Sequence, residues 1–369
     1  MTKSKVFFSD MHVTADKPLP KKLKRLMEKA GFETLPFAGG KFTAVKMHFG
    51  EPGNLAFLRP NYARVVCDYV KQLGGKPFVT DCNTLYVGGR KNALDHLDSA
   101  YANGYNPFAT GVQTIIADGL RGLDERLVPV EGGLYVKEAK IGSAIMDADI
   151  IISLTHFKGH ELTGFGGTIK NLGMGSGSRA GKMEMHSAGK PHVEQAACIG
   201  CGRCVRVCAH DAPHVTNGKS SIDKDKCVGC GRCIGACPTD AVTPDFDEAF
   251  DITNCKMAEY TKAVLKDRPH FHISLVIDVS PFCDCHAEND IPIVPDVGMF
   301  ASFDPVALDR VCADAVNKQP AVAGSLLEKN GHSHHDHFTD VFPDTNWISC
   351  LKHAEKLGLG TMDYELVEI

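Results

Sequence analysis

Eight of the chain's 15 cysteines lie between positions 198 and 237, and they fall into two identical patterns. Cys198, Cys201, Cys204 and Cys208 have the spacing C-x2-C-x2-C-x3-C; Cys227, Cys230, Cys233 and Cys237 repeat it. A cubane iron–sulfur cluster needs four thiolates on different corners. Two-residue spacers wrap three of them around one cluster on a tight loop, where glycine lets backbone amides approach the sulfides. The fourth cysteine begins a short helix and reaches the other cluster. The spacing therefore predicts two 4Fe–4S clusters. One would be held by Cys198, Cys201, Cys204 and Cys237, the other by Cys227, Cys230, Cys233 and Cys208. Paired C-x2-C can also hold zinc, but a zinc site takes four ligands and this run of eight exceeds a zinc ribbon. Clusters with a purely structural role would show the same spacing.

A second group of residues could do chemistry of another kind. His48, Asp81, Asn83, His156, Lys158, His160, Lys170, Cys283, Asp284 and Cys285 are polar or titratable, and most directly follow apolar runs that read as strands. In an open parallel sheet, ligands bind beyond the carboxyl ends of the strands. Convergence of such residues at one sheet end would make an active site, with His48, Asp81, His156, Lys158, His160 and Lys170 as its catalytic or binding groups. The basic members could bind a carboxylate or phosphate. Each also has a plain structural reading, as a hydrogen-bonded histidine or a tight glycine-rich loop. Cys283 and Cys285 form a C-x-C pair that could hold a mononuclear metal, act as a redox pair, or simply pack. The tract His332-Ser333-His334-His335-Asp336-His337 has a metal-binding composition in a setting that reads as a solvated loop. The P-loop spacing is absent, and Gly164-Phe165-Gly166-Gly167 lacks the surroundings of a dinucleotide fingerprint.

The elements that would position these groups alternate between strand and helix. Strands are expected at 5–9, 43–49, 76–81, 113–117, 149–154, 272–278 and 291–294. Helices are expected at 19–30, 60–73, 92–102, 141–146, 247–265, 305–316 and 347–356. Pro60 and Pro305 stand at first helical positions, and Asp304 is a helix cap. The glycine-rich stretch 163–189 and the polar stretch 324–340 read as loops. The expected fold class is α/β, a mainly parallel sheet with flanking helices, interrupted by a small α+β two-cluster insert. The boundaries are 1–190 for the first part of the α/β host, 191–245 for the cysteine module and 246–369 for the second part.

Composition sets the frame. The chain has 369 residues, a formal net charge of −5 and 43% hydrophobic residues, an ordinary globular balance that gives no reason to expect nucleic acid or an anionic membrane as partner. No stretch approaches the roughly 20 apolar residues of a membrane helix. A cytoplasmic setting is expected, where clustered cysteines serve as metal ligands more often than as disulfides.

Two resemblances attach to these residues. The cysteine block, ending Cys237-Pro238-Thr239-Asp240-Ala241, resembles bacterial-type two-cluster ferredoxins; Ala209 stands where that family's first half carries proline. Outside the block the chain resembles the domain-of-unknown-function 362 family of iron–sulfur centre proteins. That likeness runs through Val45–Glu51, Thr80–Arg90, His156–Gly175, Asp278–Cys285, Ile293–Gly298 and Phe303–Asp309. It implies a shared fold and a shared site, not a reaction.

Three functions fit this reading. The favoured one is an oxidoreductase that passes electrons from a redox partner protein, a ferredoxin or reductase, through the two clusters to a small-molecule substrate on the α/β domain. The second is a ferredoxin-like carrier or accessory subunit. The third is a non-redox isomerase or lyase with structural clusters. An additional mononuclear metal at the histidines is compatible with all three.

Overall fold

Apolar residues recur with period two along the predicted strands, and this fixes which way each side chain points. Val45, Val79, Ile152, Leu154, Met299 and Ala301 face one core layer, while Ala44, Phe78, Ile151 and Phe300 face the other. A sheet covered on both faces follows. The computed structural model describes residues 3–86, 88–186, 190–245, 248–331 and 335–369. Its centre is an eight-stranded sheet made of β1 (Ser4–Asp10), β2 (Phe42–Lys46), β3 (Lys76–Asp81), β4 (Thr114–Ile116), β5 (Ile150–His156), β6 (His270–Val276), β7 (Gly298–Ser302) and β8 (Tyr364–Glu368). The spatial order is β8-β1-β7-β6-β5-β2-β3-β4. Only β7 runs against the others, pairing antiparallel with β1 and with β6; the remaining pairings are parallel. The mainly parallel α/β class read from the sequence is the class observed.

Helices α1 (Leu19–Lys29) and α2 (Pro60–Gln72) cover one face, burying Leu23, Leu26, Met27, Val66 and Val70. Helix α3 (Ala93–Ala102) packs beside the edge strand β4 and is capped by the Asn92 side chain on the Leu94 and Asp95 amides. The other face is covered by α4 (Thr168–Ser176), α6 (Phe250–Leu265), α7 (Pro305–Asn317) and α8 (Trp347–Lys356), with α5 (Arg179–His186) following α4 directly. Asp304 caps α7 through the Val306 and Ala307 amides at 2.8 and 2.9 Å.

Several expectations need correction. The glycine-rich stretch expected as loop over 163–189 is not one across its described residues 163–186, which hold a short strand, Gly164–Gly166, and two buried helices, α4 and α5; positions 187–189 lie outside the described residues. Its glycines serve close packing. A Cβ on Gly173 would stand 2.2 Å from the Met257 carbonyl oxygen of α6. The strand expected at 291–294 is irregular backbone, and the true strand is β7, a few residues on. A hairpin, Glu125–Pro129 with Glu138–Gly142, occupies part of the segment expected as helix from 141, and that helix is the single turn Ser143–Met146. The polar stretch 324–340 contains helices Leu326–Asn330 and His337–Val341. Of the histidine tract, 332–334 lie outside the described residues; His337 is buried with Nε2 2.8 Å from the Gln319 carbonyl oxygen.

Between α5 and α6 the chain leaves the sheet. This excursion begins and ends in a two-residue antiparallel ladder, His192–Val193 against Val242–Thr243. Inside it lie two one-turn helices, Arg203–Val207 and Arg232–Ala236, and a hairpin, Pro213–Thr216 with Lys219–Ile222.

Candidate functional site

A cavity of about 630 Å³ opens at the carboxyl ends of β2, β3, β5 and β6. Its walls include all six residues that the sequence marks as catalytic or binding groups, His48, Asp81, His156, Lys158, His160 and Lys170, and also Cys283 and Cys285. Asn83 lies elsewhere: its side-chain amide donates to Asp118 Oδ1 at 2.8 Å and to the Gly119 carbonyl, holding the loop after β4. Burial pushes the Asp118 carboxyl up to about 6.

The floor is a buried ionic lattice. Lys46 points from β2 to Asp81 of β3, 2.9 Å away, and its ammonium also donates to Asn171 Oδ1 of α4. Burial alone would neutralise both. It raises the Asp81 carboxyl, but the charges of Lys46 and its basic neighbours more than reverse this and hold Asp81 ionised. Arg90 binds Glu51 at 2.7 Å and faces Asp81 at 3.8 Å. Its Nη1 lies 2.8 Å from His48 Nε2, while His48 Nδ1 accepts the Gly50 amide at 3.0 Å. Burial, then the Arg90 charge, push His48 down to about 3, so the ring is neutral.

A second cluster sits beside β5 and the loop after β6. His156 Nδ1 lies 2.8 Å from Asp284 Oδ1, and Nε2 lies 2.8 Å from the Ile277 carbonyl oxygen. Both ring nitrogens are engaged, which makes His156 a strut between β5 and the Cys283 loop. Lys158 donates to the His156 carbonyl at 3.0 Å and lies 3.4 Å from Asp284.

Cys283 and Cys285 belong to a turn closed by the His286 amide on the Cys283 carbonyl, 3.0 Å. One ligand-grade atom each of His160, Cys283 and Cys285 lies within 4.8 Å of the others, close enough to hold one metal ion. The His160 ring, however, accepts the Leu162 and Thr163 amides at Nδ1, at 3.0 and 3.3 Å. An acceptor Nδ1 leaves the proton on Nε2, which makes that nitrogen a donor to a thiolate rather than a metal ligand. A hydrogen bond from the Cys285 thiol, outweighing burial together with the charges of Lys170 and Lys158, holds the Cys283 thiol well below its usual range. Cys285 moves the opposite way, since it supplies that hydrogen. The result is one thiolate and one thiol.

Sequence reasoning did not single out Lys46, Glu51, Arg90, Asn171, Glu161 or Lys182, all of which line the cavity. Lys46 carried a readable signal, a lysine within an apolar strand. Lys182 carries none, because the glycine-rich sequence around α5 reads locally as loop.

Among the described residues, one side chain that the cysteine module and this cavity share is Leu85. Leu85 lines the cavity and belongs to a small apolar cluster with Met183, Cys204, Cys233, Ile234 and Val242. Within the module, one cleft is lined by Cys198, Cys201, Cys204 and Cys237, and a second by Cys208, Cys227, Cys230 and Cys233.

The family model described as domain of unknown function (DUF362) matches residues 43–314, most of the chain. The chain belongs to that family. Among curated proteins, a thylakoid-associated protein of Synechocystis sp. is 28% identical over 127 residues, 33% of this chain and 34% of that protein, so the chain spans about a third of its relative's length. Two solved structures are more remote. A Thermotoga maritima protein is 13% identical with a TM-score of 0.38, covering 79% of this chain and 54% of the other. The lactate racemase apoprotein of Thermoanaerobacterium thermosaccharolyticum is 11% identical with a TM-score of 0.34, covering 74% and 51%. Neither likeness carries chemistry across to this DUF362 chain. Among its described residues no helix is long and apolar enough to cross a membrane.

Proposed function

We propose that this chain is an iron–sulfur oxidoreductase in which residues 191–245 carry two 4Fe–4S clusters that deliver electrons to a small-molecule substrate in the cavity. The observation that carries the reading is the sorting of eight cysteines into two clefts of four, each combining three from one repeat with the last of the other. This is the crossed ligand set of two-cluster ferredoxins. The surroundings fit such a group. Gly200 and Gly202 turn the first loop with φ of 65° and 67°, Gly229 and Gly231 the second with 70° and 66°. The Ser220 amide aims at Cys198 Sγ at 3.3 Å, and the Ser220 hydroxyl lies 3.2 Å from Cys204 Sγ. Such donors stabilise anionic sulfur.

When bound, 4Fe–4S clusters supply one-electron transfer. The chain's own residues do the rest. Leu85 and Met183 exclude water between module and cavity. Lys158, Lys170 and Lys182 offer cations to an anionic substrate group. Arg90, Glu51, Lys46 and Asp81 hold the floor rigid, so that these groups need not reorganise as charge changes. The protein that supplies the electrons is a ferredoxin or reductase.

The test is iron and sulfide analysis of anaerobically prepared protein, followed by reduction with dithionite and electron paramagnetic resonance. Iron near eight per chain with reducible signals supports the reading; clusters that stay oxidised under strong reductant sink it. The proximity of His160, Cys283 and Cys285 favours a second reading, a mononuclear metal in the cavity. The acceptor role of His160 Nδ1 weighs against it. The same metal analysis decides, through the presence of any stoichiometric metal beyond the cluster iron.

A further inference from the structure

We infer that Cys283 and Cys285 form a redox-active dithiol that closes to a disulfide and is reopened by electrons from the cysteine module. The electron source rests on the cluster-bearing reading above; the dithiol itself rests on the geometry of the turn.

In that turn Cys283 occupies the first position and Cys285 the third, because the His286 amide bonds the Cys283 carbonyl. A turn of this kind draws its residues together, toward the Cα separation of about 4.4–6.8 Å that a disulfide spans. The sulfurs are within 4.8 Å of each other, against the roughly 2.0 Å of an S–S bond. The turn is anchored on both sides. Asp284, between the two cysteines, is buried against His156 and Lys158, and its carbonyl accepts the Glu51 amide at 2.8 Å. Lys170 stands 3.4 Å from Cys283 Sγ. A thiolate flanked by a fixed cation, with a second thiol in reach, is the arrangement from which disulfides open and close.

The step balances. Closing forms the S–S bond, releases one proton to water and passes two electrons to a two-electron-accepting small molecule, the substrate of the oxidoreductase reading. Opening breaks the S–S bond and takes up two electrons and one proton, leaving Cys283 as thiolate and Cys285 as thiol, with the proton drawn from cavity water. Two one-electron carriers supply that pair of electrons, one each. Both quartets contribute a cysteine, Cys204 or Cys233, to the apolar cluster that holds Leu85 of the cavity wall.

The experiment uses anaerobic holoprotein equilibrated in dithiothreitol redox buffers from fully reduced to fully oxidised. Free thiols are alkylated and the peptide spanning Cys283 and Cys285 is weighed. The expected result is one transition between a doubly alkylated and an unalkylated, disulfide form, lost in Cys285→Ser. Protein oxidised in this way is then transferred, free of thiols, to dithionite. Reduced-cluster signals should appear late in the wild type, after the disulfide has opened, and early in Cys285→Ser. Two thiols that stay alkylatable in every buffer overturn the dithiol while leaving the cluster reading intact. A disulfide that forms but persists beside fully reduced clusters overturns the coupling. A stoichiometric non-cluster metal that disappears in Cys283→Ser replaces the proposal with a metal site.

Discussion

Lys170 sets its ammonium nitrogen 3.4 Å from the sulfur of Cys283, across 113 residues of sequence. Burial opposes the lysine's charge, but the Cys283 thiolate and the Glu161 carboxylate hold it above its usual range. Cation and thiolate favour each other's charge, in addition to the larger effect of the Cys285 hydrogen bond on Cys283.

Removing that cation should therefore weaken the thiolate. In Lys170→Met the Cys283 thiol titrates at higher pH, so the midpoint of its alkylation rate moves up in pH, and below the new midpoint the rate falls about tenfold per pH unit. The rate of iodoacetamide modification against pH, read at the Cys283 peptide, measures this. An unmoved midpoint would remove Lys170 from the role.

The two cysteine clefts predict crossed damage. Cys237→Ser should disturb the cluster built on Cys198, Cys201 and Cys204, and Cys208→Ser the one built on Cys227, Cys230 and Cys233. Electron paramagnetic resonance of the reduced variants separates the two signals. Loss of the cluster on the substituted cysteine's own repeat would refute the wiring.

Gly159 lies between Lys158 and His160, and a Cβ there would meet the Pro281 carbonyl oxygen at 2.4 Å. Neither backbone can yield cheaply, because the Gly159 amide already bonds the Ser280 carbonyl at 2.8 Å. Gly159→Ala should cost about 1–3 kcal/mol of stability. It should also push the Cys283 turn away from His160. Denaturant titration checks the first effect, and Cys283 alkylation the second.

His48 gives stability a pH dependence of defined sign. Its folded pKa is depressed to about 3 from the usual 6.5. Below the ordinary value the unfolded chain binds a proton that the folded one refuses. Stability from this site is complete above 6.5 and is lost as pH falls toward 3. His186, also pushed to about 3, adds to the loss. The slope is at most about 1.4 kcal/mol per pH unit for each proton. Denaturant titrations at several pH values should show a shallower acid limb in His48→Gln; an identical limb would assign the loss elsewhere.

Much of this architecture is legible in the sequence because it rests on local pattern. The alternation of Val45, Ala44, Ile151 and Ile152 between faces sets the strands, and Pro60, Asn92 and Asp304 mark helix starts. The cavity residues are legible where a strand ends and a polar residue follows, as at Asp81 and His156. What stays hidden depends on distant partners. Glycine in α4 signals a loop locally, and only the Met257 carbonyl of α6 explains why a helix needs it there. β7 and β8 are set by pairing with β1, near the opposite end of the chain. Arg90 gains its role only when Glu51 and Asp81 arrive beside it.

The short ladder of His192–Val193 against Val242–Thr243 has a consequence for how such a chain can change over time. It brings the departure and return of the cysteine-bearing excursion to neighbouring points, so the sheet experiences the whole excursion as a single short bridge. Insertions, deletions or wholesale exchange beyond that bridge leave the spacing of β5 and β6 untouched. The excursion can drift or be replaced as a cassette, and among the described residues those bound to track it include Leu85 and Arg179, which press against it.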